Sequence, residues 1–158
     1  MEYVDFLNSG AKLVHEQVIK AGYEISENSP YCLMMRKILA LHDGSAKKIY
    51  ICTHNLKQIL LWDAPLGPRE VLSKSREKEA RFFMSKALTH EAVHAAQYCN
   101  SGMLIAPQKA SPEVAERKSK AIELSLAVGG ARSREEEAYL LESDPFFVAK
   151  SIEKFCFD

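Results

Sequence analysis

Apolar residues recur at every third or fourth position where the chain opens: Val4, Leu7, Ala11, Val14 and Val18. That spacing places them on one face of an α-helix, so a helix is predicted over residues 3–22, with Gly22 as its stop. "SENSP", residues 26–30, has no such periodicity and reads as loop. The mostly apolar run "YCLMMRKILAL", 31–41, suits either a strand or a helix. "HDGSA" then reads as a turn and "KKIYICT" as a strand, which predicts a hairpin around Asp43-Gly44. "LKQILLWD" fits another strand or a short helix, and "APLGP" ends this half of the chain.

The second half is helical in pattern. Pro68 suits a first helical position. From there to Cys99 no proline or glycine appears, and Glu, Lys, Arg and Ala dominate, which predicts one long helix or two abutting ones. Asn100, Gly102 and Pro107 mark a loop. Ser111-Pro112-Glu113 supplies a cap, a proline at the first position and an acid in the first turn, so a helix runs from there to Gly129-Gly130. Another opens near Ser133, and Asp144-Pro145 starts the last. The predicted class is α+β: a single, mainly helical domain over 1–158 with a small sheet in the N-terminal half.

Composition narrows the functional classes. A chain of 158 residues with 47 % hydrophobic and 27 % charged residues can bury a real core. Lys plus Arg equals Asp plus Glu, which argues against a broad nucleic-acid footprint, so no nucleic-acid partner is expected. No run approaches the roughly 18 apolar residues of a spanning helix. "MEYVDFLNSGAKL" has an acidic start and no apolar h-region, so no signal peptide is visible. The expectation is a soluble cytoplasmic or organellar protein, or one delivered by a signal already removed. The four cysteines, Cys32, Cys52, Cys99 and Cys156, contain no C-x-x-C pair. They are expected as free buried thiols in a reducing compartment, with two bridges as the alternative that sequence leaves open.

The chemistry concentrates in "ALTHEAVHAAQYC", residues 87–99. His90 and His94 are four apart, so on a helix their imidazoles share a face and can converge on one ion. Zinc accepts neutral histidine nitrogen and keeps an open position in catalytic sites. Glu91 projects beside such a metal, where it can take a proton from water. The bare pattern arises by chance in roughly one chain of this length in a few hundred, so its surroundings must decide. His15-Glu16 begins the same way but lacks a second histidine. Around His90, Leu88, Ala92, Val93, Ala95 and Ala96 are apolar, so the helix is expected to be buried. Buried, unpaired polar groups cost roughly 2–7 kcal/mol each, and a metal would partner them.

A third ligand must come from elsewhere, because Gln97, Cys99 and Asn100 stand where a longer motif would place it. Glu135, Glu136 and Glu137 form an acidic helix start, which alone reads as solvated. His42 is expected to be solvated in its turn, and His54 to lie at the surface. Trp62 is expected in the core, and "REKEAR" on a solvated helix face.

His90-Glu91-x-x-His94, followed by a later helix with Glu-x-x-Ala, resembles the gluzincin class of zinc peptidases. In that class the glutamate of the second helix completes a His-His-Glu site. The membrane CAAX-processing type writes this helix as Ser-Arg, then Glu-x-x-Ala-Asp. This chain has Ser133-Arg134, then Glu135-Glu136-Glu137-Ala138. The resemblance selects Glu135 as ligand, with Glu136 and Glu137 toward the flank or solvent. Tyr139 stands where those enzymes carry an aspartate that holds a histidine ring, so the partner of that ring is unassigned. The transmembrane parts of those enzymes are absent. A second resemblance is to the mitochondrial metallopeptidase family that processes an ATP-synthase subunit. It rests on "ICTHN", on Thr89, His90, Glu91, His94, Ala95 and Cys99, and on "DPFF" followed by a cysteine. That family places its glutamate sooner, so Glu113, Glu116 and Glu123 compete with Glu135.

The resemblance implies a zincin-like domain that hydrolyses a peptide or protein substrate. Zinc would sit on His90, His94 and Glu135, with Glu91 as base and Tyr139 or Tyr98 as oxyanion donor. "KKIYICT" would be the edge strand that holds an extended peptide. The alternative is a catalytically silent binding or assembly factor on the same fold.

Overall fold

The computed structural model describes residues 3–63, 67–68, 74–126 and 130–157. The first predicted helix is two pieces. A 3-10 turn, Tyr3–Phe6, precedes α1, Ser9–Lys20, because the Asn8 side chain accepts the N–H of Ala11 at 2.9 Å and caps a new start. Gly22 ends α1 at φ +85°, a conformation that suits glycine.

Next come β1 (Glu24–Glu27), α2 (Pro30–Met34), β2 (Ala40–Asp43) and β3 (Lys48–Ile51). The ambiguous run 31–41 thus divides between a helical turn and a strand. The predicted hairpin is present: β2 pairs antiparallel with β3, Ala40 opposite Ile51 and Asp43 opposite Lys48. The strand β1 overlaps the segment read as loop, and it pairs in parallel with β3. The order is β1-β3-β2, so β3, the "KKIYICT" strand, is central and β2 is an edge. The expected edge strand is therefore the other arm of the hairpin.

Then α3, Thr53–Leu61, resolves "LKQILLWD" mostly as helix. Trp62–Asp63 (β4) and Gly67–Pro68 (β5) form a two-residue antiparallel pair. Pro68 therefore sits in a short strand and does not open the following helix; a two-stranded edge does not require its missing N–H. The expected core position of the Trp62 side chain lies outside the described residues.

The long helix is one element, α4, Lys74–Cys99, of 26 residues and so about 39 Å long. The loop after it leads to α5 (Pro112–Arg117) and α6 (Ser119–Leu126), separated at Lys118 where one helix was predicted. The expected stop at Gly129 lies outside the described residues. The predicted caps hold: Ser111 accepts from Val114 N, and Asp144 from Phe147 N. The last two helices are α7 (Arg132–Leu141) and α8 (Pro145–Cys156).

The protein is α+β, mostly helical, with its small sheet in the N-terminal half. Its core is organised on α4, where Ala80, Met84, Leu88, Ala92, Val93, Ala95 and Ala96 are fully buried. The alanines let α1, α7 and α8 approach closely. At Gly10 of α1 a Cβ would lie 2.5 Å from Pro145 Cγ, so only glycine permits that crossing with the start of α8. The cysteines are not free thiols: Cys32 bridges to Cys52 and Cys99 to Cys156. The second bridge fastens the end of α4 to the end of α8. Among the described residues no helix is long and apolar enough to cross a membrane.

Candidate metal centre

The second half of α4 is the floor of a cleft of about 590 Å³. One wall is β2, and the others are α6 and α7. His90 and His94 project from α4, and Glu135 meets them from the first turn of α7. His90 Nε2 lies 3.3 Å from Glu135 Oε2, and His94 Nε2 lies 3.1 Å from Glu135 Oε1. Donor atoms of the three residues fall within 4.8 Å of one another. The structure thus brings together the three residues that the resemblance selects as ligands.

The rest of each imidazole decides what the site can hold. His90 Nδ1 lies 3.2 Å from Glu142 Oε2, and His94 Nδ1 lies 2.9 Å from Gln97 Oε1. The Gln97 amide nitrogen is spent on the Arg134 carbonyl and on Glu137 Oε1, so its oxygen faces His94. Both Nδ1 atoms therefore donate to acceptors. In the neutral rings each Nε2 then keeps its lone pair toward Glu135. Two nitrogen lone pairs and one carboxylate are a donor set that fits zinc, and such outer partners fix the ligating tautomer.

Without a cation, protons hold the cluster together. Burial would lower the His90 pKa, but hydrogen bonds to Glu135 and Glu142 outweigh it and push it up to about 10. Burial would raise Glu135, yet bonds from His90 and His94 hold it at about 2. A divalent cation would occupy the place of that proton, because metal binding needs deprotonated ligands.

Glu91 is buried beside the cluster but is not one of the three converging groups. Its carboxylate accepts the backbone N–H of His42 on β2. Burial raises its pKa, against the opposing pull of His90 and His94. The edge strand thus fixes the expected base.

The three adjacent glutamates have three fates. Glu135 faces the histidines. Glu136 is half-buried and pairs with Arg132. Glu137 is buried and accepts from Ile105 N at 2.8 Å, Ala106 N at 3.0 Å and Gln97 Nε2 at 3.0 Å. The expectation that Glu137 lies toward flank or solvent is therefore wrong: it anchors the loop after α4. Glu113, Glu116 and Glu123 are exposed and stand outside the cluster.

Tyr139 packs its ring edge against His90, at 4.4 Å between centroids. Its hydroxyl turns to α6, 3.0 Å from Ser125 Oγ, and donates to the Ala121 carbonyl. Tyr98 is half exposed and lies across the β2–β3 turn. There a Cβ on Gly44 would come within 2.3 Å of its ring. His54 is exposed, as expected. His42 is not solvated: its ring lies 6.3 Å from that of His94, and its Nε2 is 3.2 Å from Tyr23 Oη. Burial first, and His94 second, lower its pKa to about 4.

Sequence reasoning missed Glu142, Gln97 and His42. Glu142 follows Glu135 by seven positions, two turns on the same helix face, and that spacing was the available signal.

Fold and site define a mainly helical α+β protein with a candidate His-His-Glu metal centre on the floor of an open cleft. The chain belongs to the family described as a domain of unknown function, DUF8637, whose model matches residues 3–157. No curated protein and no solved structure matches it.

Proposed function

We propose that the protein is a zinc-dependent metallopeptidase of gluzincin type. The observation that carries this reading is the convergence of His90, His94 and Glu135 with both Nδ1 atoms already engaged by Glu142 and Gln97. Bound there, zinc would supply Lewis acidity toward a carbonyl oxygen and toward water. Glu91 takes the proton of the attacking water and returns it to the leaving amine. Burial raises its pKa, the direction that strengthens it as a proton acceptor. β2 is an edge strand along the cleft, and beside the His42 N–H that Glu91 takes, its remaining outward backbone groups can pair with an extended peptide. The two disulfides favour an oxidising compartment over the reducing cytosol.

A structural metal in a silent binding protein is the second reading. A purely structural site has no use for a buried carboxylate held beside its first histidine, and Glu91 is such a group. Elemental analysis of the purified protein should find about one zinc per chain. Glu91→Gln should keep that zinc and lose peptide hydrolysis. Absent zinc, or hydrolysis undiminished in the variant, would refute the mechanism. Zinc with no hydrolysis of any peptide would favour the second reading.

A further inference from the structure

The chain has as many Lys and Arg as Asp and Glu, but the cleft does not share that balance. Four cationic side chains line it, Lys37, Lys86, Lys118 and Arg134, against three carboxylates. All three carboxylates are committed. Glu135 faces the histidines, Glu91 accepts the His42 N–H, and Glu142 holds His90 as well as Lys86 at 3.4 Å and Lys118 at 3.6 Å. Lys86 and Lys118 thus share one carboxylate, itself engaged with His90, and Lys37 is exposed.

Arg134 is different. It is half-buried and stands one residue before Glu135. Among the described residues its guanidinium makes one hydrogen bond, Nη1 to the Gly102 carbonyl at 3.4 Å, and no carboxylate pairs with it. Arg132, two positions earlier, faces solvent and pairs with Glu123 and Glu136. The Gly102 carbonyl thus steadies a cation that lines the cleft with most of its donors unspent. At the opposite end two phenylalanines of α4 come before the histidines, with Lys86 Nζ 4.9 Å from the Phe82 ring centroid. Phe82 and Phe83 are 54 % and 41 % exposed and line the cleft. Along α4 the metal centre separates the two ends: Phe83 lies before His90, and Gln97, which bonds the Arg134 carbonyl, lies after His94.

We propose that the cleft reads its ligand by charge. Arg134 binds a peptide carboxylate on one side of the metal centre, and the Phe82–Phe83 end takes an apolar side chain on the other. The inference rests on the peptidase reading for the nature of the ligand. A steadied, partly desolvated guanidinium suits this task, because it offers a planar fork to a carboxylate and little ordering remains to be done on binding. A bound dication would add to the attraction for an anionic ligand. The carboxylate can be an acidic side chain or a chain terminus, and the test separates these sources.

The test measures binding without turnover. Zinc-loaded Glu91→Gln protein is titrated into four fluorescein-labelled heptapeptides of Leu and Ala. One carries a central Glu and a C-terminal amide, one a central Gln and a free C-terminus, one both carboxylates and one neither. We expect at least one single-carboxylate peptide to bind roughly tenfold tighter than the neutral one. The tighter of the two identifies the source. Adding Arg134→Gln should erase the preference while affinity for the neutral peptide stays within about twofold, and Arg134→Lys should retain part of it. Thermal melts confirm that each variant folds. Equal affinities for all four peptides, a preference that survives Arg134→Gln, or no binding of any peptide would overturn the proposal. The two readings fail separately. Wild-type protein that cleaves neutral and acidic peptides equally keeps the peptidase and loses this inference. A charge preference in binding with no cleavage does the reverse.

Discussion

Glu142 is the sharpest test of the site, because no part of the resemblance predicts it. Its Oε2 lies 3.2 Å from His90 Nδ1, and its Oε1 lies 3.4 Å from Lys86 Nζ and 3.6 Å from Lys118 Nζ. It is buried at 7 % exposure. Removing the carboxylate frees the His90 ring and strands two lysines at the cleft. Partners of this kind are typically worth 10–100-fold in metal affinity, about 1.4–2.7 kcal/mol. We expect Glu142→Gln to fall toward the lower end, since an amide oxygen can still accept the His90 N–H but brings no charge. Glu142→Ala should fall toward the upper end. Competition for zinc against a chromophoric chelator measures both, with Glu136→Gln, outside the cluster on the same helix, as the control. Affinity unchanged in Glu142→Ala would mean that the ring is held by other means, and the argument from the Nδ1 partners would fail.

Three further predictions follow from the same geometry. Glu135→Gln should greatly weaken zinc binding, whereas Glu137→Gln should chiefly lower folding stability, by about 1–3 kcal/mol, because it leaves buried loop N–H groups poorly paired; denaturant melts and zinc titrations of both variants would refute the division if the effects were reversed. In the metal-free protein His90 has a folded pKa of about 10, above its unfolded value of 6.5, so its stabilisation is complete below about pH 6.5 and is lost as pH rises toward 10. Glu135, at about 2 against 4.5, stabilises above about pH 4.5 and loses that contribution as pH falls toward 2. The gain in Tm on adding zinc should therefore grow from about pH 5.5 to about pH 9, and a flat or falling gain would contradict the protonated cluster. Finally, reduction should destabilise the chain, since bridges closing separations of 20 and 57 residues are worth about 3 and about 4 kcal/mol in the loop-entropy view, and an unchanged denaturation midpoint under reductant would oppose this.

What was legible in the sequence is what is local. Ser111 and Asp144 announce helix starts because a cap bonds three residues ahead. His90, Glu91 and His94 are legible because one helical turn sets their geometry. The strand Glu24–Glu27 was not, because its polar residues gain their conformation from pairing with β3, some twenty positions away. The disulfides, the Glu142–His90 contact and the partial burial of His42 likewise depend on chain folding back from a distance. Glu135 is an intermediate case: helix position made it a candidate, and only the resemblance chose it from its neighbours.

The antiparallel contact of α4 with α7 explains why one short helix serves several ends. Successive residues of a helix point about 100° apart, so adjacent positions meet different partners. On α7, Glu135 turns to the two histidines, Glu136 to Arg132 at the surface, and Glu137 to the loop at Ile105 and Ala106. Two turns beyond Glu135 the same face returns at Glu142, and it meets His90 from the other side of the ring. On α4 the matching stripe is His90, His94 and Gln97, and Gln97 ties the His94 ring to both Glu137 and the Arg134 carbonyl. The loop anchor and the ligand set therefore share one hydrogen-bonded frame. A change that rotates α7 by one residue would take Glu135 from the histidines, Glu137 from the loop and Arg134 from the cleft together. The acidic run Glu135-Glu136-Glu137 is thus three separate assignments made by helical geometry, and its reading as a solvated helix start holds only for Glu136.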